Sequence, residues 1–187
     1  MRAIIISEPK SGTYLCSALL KHLGMYQTFF HLFETSYSAY DKNDLLEGRN
    51  NPRKYLKAGN IQDVVTSITD NGFAVTHEKR KELMVTAFAS FKKVVVTRPL
   101  KEKKASHNRW ITETPRGNSG YQTNHSLWLA DPETFHIEFK DMIEINVEKV
   151  DALQVYLFGS IITDSAEAMN KALNEETLTK SSKRRGE

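Results

Sequence analysis

The sequence opens with an apolar, β-branched run that changes within a few residues into a helical pattern. Residues 3–6 (Ala-Ile-Ile-Ile) are typical of a buried strand, and the polar segment 7–13 follows them. The next apolar residues recur at helical spacing, namely Leu15, Ala18, Leu19, Leu20 and Leu23. Gly24 is placed to end that helix. A strand joined to a helix by a tight loop begins a βαβ unit, so the opening predicts parallel strands covered by helices.

The rest of the chain alternates between further strand and helix patterns. Strands are predicted over 73–76, 94–97 and 135–139; the second of these (Val-Val-Val-Thr) is short and continuous, as strands in buried parallel sheets are. Helices are predicted over 61–69, 101–110, 147–158 and 166–173, and segment 78–91 has helical character. Segments 36–60 and 112–126 are polar and contain glycine, so we expect loops there.

Length and composition restrict the class of protein. With 187 residues and no repeat or linker, the chain is predicted to form a single domain over 1–187. A formal charge of +3 gives no case for nucleic acid or a membrane surface as partner. The single Cys16 excludes an internal disulfide, and no Cys/His cluster has the spacing of a zinc site. Without a signal-peptide pattern or an apolar run of ~20 residues, we expect a cytoplasmic protein.

The loop Pro9-Lys10-Ser11-Gly12-Thr13 is the first candidate for chemistry. At a helix N-terminus, unpaired backbone N–H groups and the positive end of the helix dipole favour an anion. Lys10 adds a positive charge, and Ser11 and Thr13 add hydroxyl donors. The same residues also suit a simple helix cap beside a solvated lysine, because Ser and Thr are common caps. A phosphate site and a helix cap therefore both fit this loop.

This loop differs from the general ATP-binding P-loop, G-x-x-x-x-G-K-[ST]. Lys10 precedes Gly12, and the first glycine of the motif is missing. A Mg-dependent phosphotransferase would also place an acidic residue at the end of a later core strand. Here the strand at 94–97 ends in Thr97-Arg98. A positive residue at that point favours a second anionic group on the ligand over a metal ion.

Together these residues resemble the cytosolic-type sulfotransferases. Residues 9–15 (Pro-Lys-Ser-Gly-Thr-Tyr-Leu) are similar to the family's P-K-S-G-T-T-W loop, which holds the 5′-phosphosulfate of 3′-phosphoadenosine 5′-phosphosulfate (PAPS). Arg98, at a strand end, and Ser106, eight residues later, resemble the pair that holds the 3′-phosphate. The resemblance therefore begins with two signatures that bind opposite ends of one ligand.

Four further segments resemble the family in the same order along the chain. Residues 75–77 (Val-Thr-His) resemble the K-T-H triplet whose histidine is the general base, with valine in place of lysine. Residues 139–142 (Phe-Lys-Asp-Met) are similar to Y-E-D-[LM], and 157–159 (Leu-Phe-Gly) to F-[LV]-G. Residues 184–186 (Arg-Arg-Gly) resemble an R-K-G triplet at the 3′-phosphate. The chain is shorter than is usual for the family, between residues 110 and 135 and at its C-terminus.

The resemblance implies an α/β, three-layer P-loop-like fold with a central, mostly parallel sheet flanked by helices. It implies a PAPS-dependent sulfotransferase that moves a sulfuryl group to a hydroxyl or amine in line, releases adenosine 3′,5′-bisphosphate (PAP) and needs no metal. His77 would be the general base, and Lys10 would stabilise the leaving phosphate. The implied cofactor-binding residues are Lys10, Ser11, Gly12, Thr13, Tyr14, Arg98, Ser106, Arg184, Arg185 and Gly186.

Two other functions remain open at the level of sequence. A nucleotide or small-molecule kinase of related fold would require Mg2+. A non-catalytic nucleotide-binding relative would bind PAP and transfer nothing, which Val75 and the short chain would suit. The expected acceptor is a small molecule or a carbohydrate; no motif identifies it, and none indicates an oligomeric state.

Several polar residues near these motifs are interpreted as ordinary surface or core residues. Lys101, Lys103 and Lys104 are expected to form a solvated face, and Glu8 is expected to be solvated. His31 has no spacing that marks it as a ligand.

Overall fold

A seven-stranded sheet forms the centre of this computed structural model, which describes residues 1–32, 37–39, 54–56, 61–113 and 125–175. The strands are β1 (Arg2–Ser7), β2 (Tyr26–Leu32), β3 (Tyr37–Ala39), β4 (Lys54–Leu56), β5 (Gly72–Thr76), β6 (Phe91–Thr97) and β7 (Thr134–Glu138). Their order across the sheet is β4-β3-β2-β5-β1-β6-β7. β2, β5, β1, β6 and β7 are parallel, whereas β3 pairs antiparallel with β2 and β4.

Helices cover both faces of the sheet. They are α1 (Thr13–His22), α2 (Ile61–Thr66), α3 (Glu82–Ala87), α4 (Leu100–Glu113), α5 (Ser126–Leu129), α6 (Phe139–Ile143), α7 (Val147–Phe158) and α8 (Ser165–Asn174). One apolar core joins the sheet to α1, α7 and α8, and a second core joins it to α2, α3 and α5. The predicted three-layer α/β architecture with a mostly parallel sheet is confirmed.

β1 lies at the centre of the sheet because its side chains can be buried on both faces. Ile5 belongs to the core with α1, while Ile4 and Ile6 belong to the core with α2 and α3. Ile6 pairs with Thr76 of β5, and Ser7 pairs with Val96 of β6. The carboxyl ends of three parallel strands are therefore level at one edge of the sheet, where ligands bind in open α/β folds.

The predicted elements agree with the structure where the sequence pattern is continuous. The strands at 73–76 and 94–97 and the helix at 147–158 are confirmed, and the predicted helices at 61–69, 101–110 and 166–173 correspond to α2, α4 and α8. The predicted strand at 135–139 occupies 134–138. In the described part of the chain, no helix combines the length and apolarity needed to cross a membrane.

Three strands, β2, β3 and β4, are not predicted from the sequence. β2 mixes aromatic and polar residues: Tyr26 at its start is 64% exposed, Leu32 at its end is fully buried, and its register with β5 shifts between Gln27 and His31. β3 and β4 lie within segment 36–60, where a loop is expected; three residues each are too few to show a pattern. Segments 114–124 and 176–187, including Arg184, Arg185 and Gly186, lie outside the described residues.

Candidate anion and proton-transfer site

The loop between β1 and α1 presents unsatisfied donors at a helix N-terminus. Lys10 and Gly12 have φ angles of 67° and 102°, and the Ser11 N–H donates to the Glu8 carbonyl oxygen at 3.1 Å. The N-cap of α1 is Gly12, which provides no side-chain hydrogen bond to the first turn. The Ser11 Oγ is buried, at 1% residue exposure, without a hydrogen-bond partner in the described part of the protein. The helix-cap interpretation of Ser11 and Thr13 is therefore wrong, and the donor set suits an anion.

Phe139 connects this loop to Arg98. Its ring packs against Gly12 so closely that a Cβ at position 12 would lie 2.4 Å from the Phe139 Cδ2 atom. The Arg98 guanidinium lies over the same ring, with its Cζ 4.0 Å from the ring centroid. This cation–π contact holds the arginine next to the loop at 9–13. Arg98 Nε also pairs with a Glu102 oxygen at 3.0 Å.

Hydrogen bonds at the ends of β1 and β5 orient His77. Its Nδ1 lies 2.6 Å from the Ser7 carbonyl oxygen and 3.3 Å from the Ser7 Oγ. A carbonyl oxygen only accepts, so Nδ1 carries the proton of the neutral ring and Nε2 carries the lone pair. The Ser7 Oγ is 2.6 Å from the Thr13 Oγ1, which joins His77 to the first turn of α1. The ring is thus oriented so that Nε2 is the nitrogen that can accept a proton.

Burial and positive charge keep His77 neutral. Desolvation lowers the pKa of His77 below 6.5, and the Lys10 ammonium lowers it further, against a raising contribution from the Ser7 hydrogen bond.

A second histidine, His31, lies beside His77, with a distance of 4.8 Å between the two ring centroids. Desolvation and the neighbouring His77 hold the pKa of His31 well below 6.5. Tyr14 contacts the far side of this pair, its ring edge-on to His31 at 6.3 Å.

Helix α4 carries the other predicted phosphate-binding residue. Ser106 is half-buried on this helix, and His107 beside it is buried. Desolvation and the charge of Lys10 lower the pKa of His107, so this part of α4 lies within electrostatic range of the loop. The structure therefore brings Lys10, Arg98 and His77 to one edge of the sheet, with Ser106 on the helix that borders it.

The interpretation of Lys103 and Glu8 as solvated is wrong. Lys103 forms an ion pair with Glu8, and the two side chains are 11% and 21% exposed. α4 and the loop approach each other closely, which encloses both groups. Lys101 and Lys104 are exposed, as expected.

Sequence reasoning misses two residues of the site. The sequence places Ser7 in a polar loop, but it is the last residue of β1 and fully buried. His31 is 5% exposed, and its ring contacts the His77 ring at an interplanar angle of 48° because β2 pairs with β5. A serine that ends an otherwise apolar strand, just before Pro9, is the signal that could have identified Ser7.

Comparison with solved structures places this architecture among known folds. The structure of mouse sulfotransferase SULT7A1 complexed with PAP is similar over 96% of this chain, with a TM-score of 0.59 and 16% sequence identity. This chain spans 65% of the length of that chain. Comparisons with protein-family models and with curated proteins gave no match. The predicted P-loop-like fold is confirmed, and the protein has a sulfotransferase-like fold.

Proposed function

We propose that this protein is a sulfotransferase that moves the sulfuryl group of PAPS to a hydroxyl or amine of a small-molecule or carbohydrate acceptor. One observation supports this best: Lys10 lies in the loop before the uncapped N-terminus of α1, close enough to His77 to lower the pKa of that histidine. The His77 ring is oriented by Ser7, and both residues lie at the edge of a sulfotransferase-like sheet. An anion-binding loop can hold the phosphate leaving group, and a neutral base beside it can take the proton from a hydroxyl or amine acceptor.

The residues at the α1 N-terminus fit a 5′-phosphate. The buried Ser11 Oγ and the uncapped first turn of α1 are donors that an anion would satisfy. Lys10, Ser11, Gly12, Thr13 and Tyr14 would hold that group. In the same proposal Arg98 and Ser106 would hold the 3′-phosphate, Arg98 through a charge-assisted contact. The residues Arg184, Arg185 and Gly186 would add to that second subsite.

The proposed reaction needs positioning and charge stabilisation. Bound PAPS supplies an activated sulfuryl group. The acceptor oxygen forms a bond to sulfur as the bond from sulfur to the phosphate oxygen breaks, and the acceptor proton passes to His77 Nε2. Lys10 stabilises the negative charge that the phosphate oxygen gains. The Ser7 carbonyl, 2.6 Å from His77 Nδ1, stabilises the imidazolium that forms and keeps the ring in place.

The test measures PAP binding and sulfuryl transfer separately. In thermal unfolding with PAP at about 100 times its Kd, the wild type should gain about 2.7 kcal/mol of stability. His77→Asn should keep this gain and lose about 100- to 10,000-fold in transfer from labelled PAPS to a panel of alcohols, phenols, amines and sugars. Lys10→Met should lose both. Lys171→Met, which disrupts an exposed pair with Glu167 on α8, is the matched control and should change neither.

The outcomes separate the proposal from its alternatives. Stabilisation by ATP with Mg2+ and not by PAP would contradict the sulfotransferase and favour a kinase. Binding of PAP without transfer to any acceptor would favour a non-catalytic relative, in agreement with Val75 before Thr76 and with the chain spanning 65% of SULT7A1.

A further inference from the structure

The Glu8 carboxylate is an unexpected group at a phosphate-binding loop. Glu8 lies two residues before Lys10, and its carbonyl oxygen accepts the Ser11 N–H, so its backbone is part of the turn. A carboxylate held at this point repels a bound phosphate, since like charges in a partly desolvated region are weakly screened. The loop therefore needs a compensating cation to bind an anion well.

Lys103 of α4 is that cation. It pairs with Glu8, and its side chain is only 11% exposed, so the pair is shielded from solvent in a way that surface pairs are not. The neighbouring Lys101 and Lys104 are exposed and form no ion pair in the described part of the chain that would replace it. Glu102, a second carboxylate near the site, pairs with Arg98, but its side chain is 51% exposed.

We propose that Lys103 is a positioning residue of the anion site, which neutralises Glu8 and holds its carboxylate on the α4 side of the loop. The inference rests on the proposed function, because it assumes that a phosphate occupies this loop. Lys103 need not touch the ligand. It acts through Glu8, and its removal leaves a negative charge beside the bound phosphate.

Two nearly isosteric variants distinguish this role from simple structural bracing. If the pair only braces the loop against α4, Glu8→Gln and Lys103→Met break it equally, and both weaken PAP binding. If charge is what matters, the two variants act with opposite sign. Lys103→Met should then weaken PAP binding on the order of 5- to 10-fold, while Glu8→Gln should tighten it on the order of 2- to 5-fold. The double variant should return to within about 2-fold of the wild type.

The experiment is isothermal titration of the full chain with PAP at two ionic strengths. The two effects should keep their opposite signs at both ionic strengths, because charges in a partly desolvated region are weakly screened, whereas bracing alone gives both variants the same sign. Glu167→Gln and Lys171→Met, at the exposed pair on α8, are the controls and should leave the PAP affinity unchanged. Urea unfolding of each variant without PAP confirms that the measured protein is folded.

The results overturn one proposal or both. Wild-type protein that binds PAP, with Glu8→Gln and Lys103→Met both weakened or both unchanged, overturns the role of Lys103 and leaves the proposed function intact. Wild-type protein that does not bind PAP overturns the proposed function and this inference with it.

Discussion

Replacing Gly12 with alanine should destabilise the protein through two separable effects. The φ angle of 102° is strained for any residue with a Cβ, at a cost of about 1–3 kcal/mol. The new Cβ would also lie 2.4 Å from the Phe139 Cδ2 atom, and moving the ring adds about 1–3 kcal/mol of overpacking. We expect a total of about 4 kcal/mol, which lowers the Tm of a chain of this size by about 8–16 °C.

Two reference substitutions separate these effects. Gly159 has a φ angle of 81°, and apart from its chain neighbours no residue that the structure describes has an atom within 4 Å of the point that a Cβ there would occupy, so Gly159→Ala measures the backbone cost alone. In a Phe139→Ala background, Gly12→Ala no longer produces the clash with the ring. Its effect on the unfolding free energy should then be about that of Gly159→Ala. Because Arg98 stacks on the ring that moves, Gly12→Ala should weaken PAP binding as well.

Urea and thermal unfolding of the four variants and the wild type are the measurements. The reasoning is refuted if Gly12→Ala costs no more than Gly159→Ala, since Phe139 would then not enclose the loop. It is also refuted if the cost of Gly12→Ala is the same with and without the ring of Phe139.

Two further predictions concern buried polar groups. Gln154 is fully buried, and its side chain makes four hydrogen bonds of 2.7–3.1 Å. Its Nε2 donates to Thr163 O and Ser165 Oγ, and its Oε1 accepts from the N–H groups of Ile162 and Thr163. Gln154→Ala should lower the unfolding free energy by about 2–4 kcal/mol by urea denaturation, and a loss below about 1 kcal/mol would contradict this network. The pKa of His31 is held well below 6.5, so the unfolded chain binds its proton first and stability falls as pH drops below 6.5. His31→Gln should remove up to ~1.4 kcal/mol per pH unit from that slope as the pH falls below 6.5; an unchanged slope would contradict this.

The elements that the sequence predicts are those whose burial is encoded locally. β1 and β6 contain continuous apolar runs at residues 3–6 and 94–96, because the sheet buries these positions on both faces, and this pattern is visible without the fold. The loop at 9–13 can be recognised from sequence because an anion-binding turn at a helix N-terminus combines a lysine, hydroxyl side chains and a glycine within a few residues. β2 carries no such pattern, since its burial depends on the antiparallel strands beside it.

The contacts within the site depend on pairings between distant segments. His77 could be placed at a strand end from sequence, but its attachment to Ser7 requires β1 to lie beside β5. The contact of the His31 ring with His77 requires β2 on the other side of β5. The pair between Glu8 and Lys103 requires α4 to approach the first loop. No local spacing encodes these approaches, so the residue types were predictable and their partners were not.

The central position of β1 has a consequence for how the protein folds. Ala3 pairs with Phe73 and Arg2 with Phe91, so the middle strand finds its neighbours only by closing loops of 70 and 89 residues. Such non-local pairings slow folding relative to helix formation. α7 and α8 follow one another directly and can form before the sheet is complete. Competence to bind a ligand at the ends of β1, β5 and β6 should therefore arise in the last refolding phase, after most of the helical signal has returned.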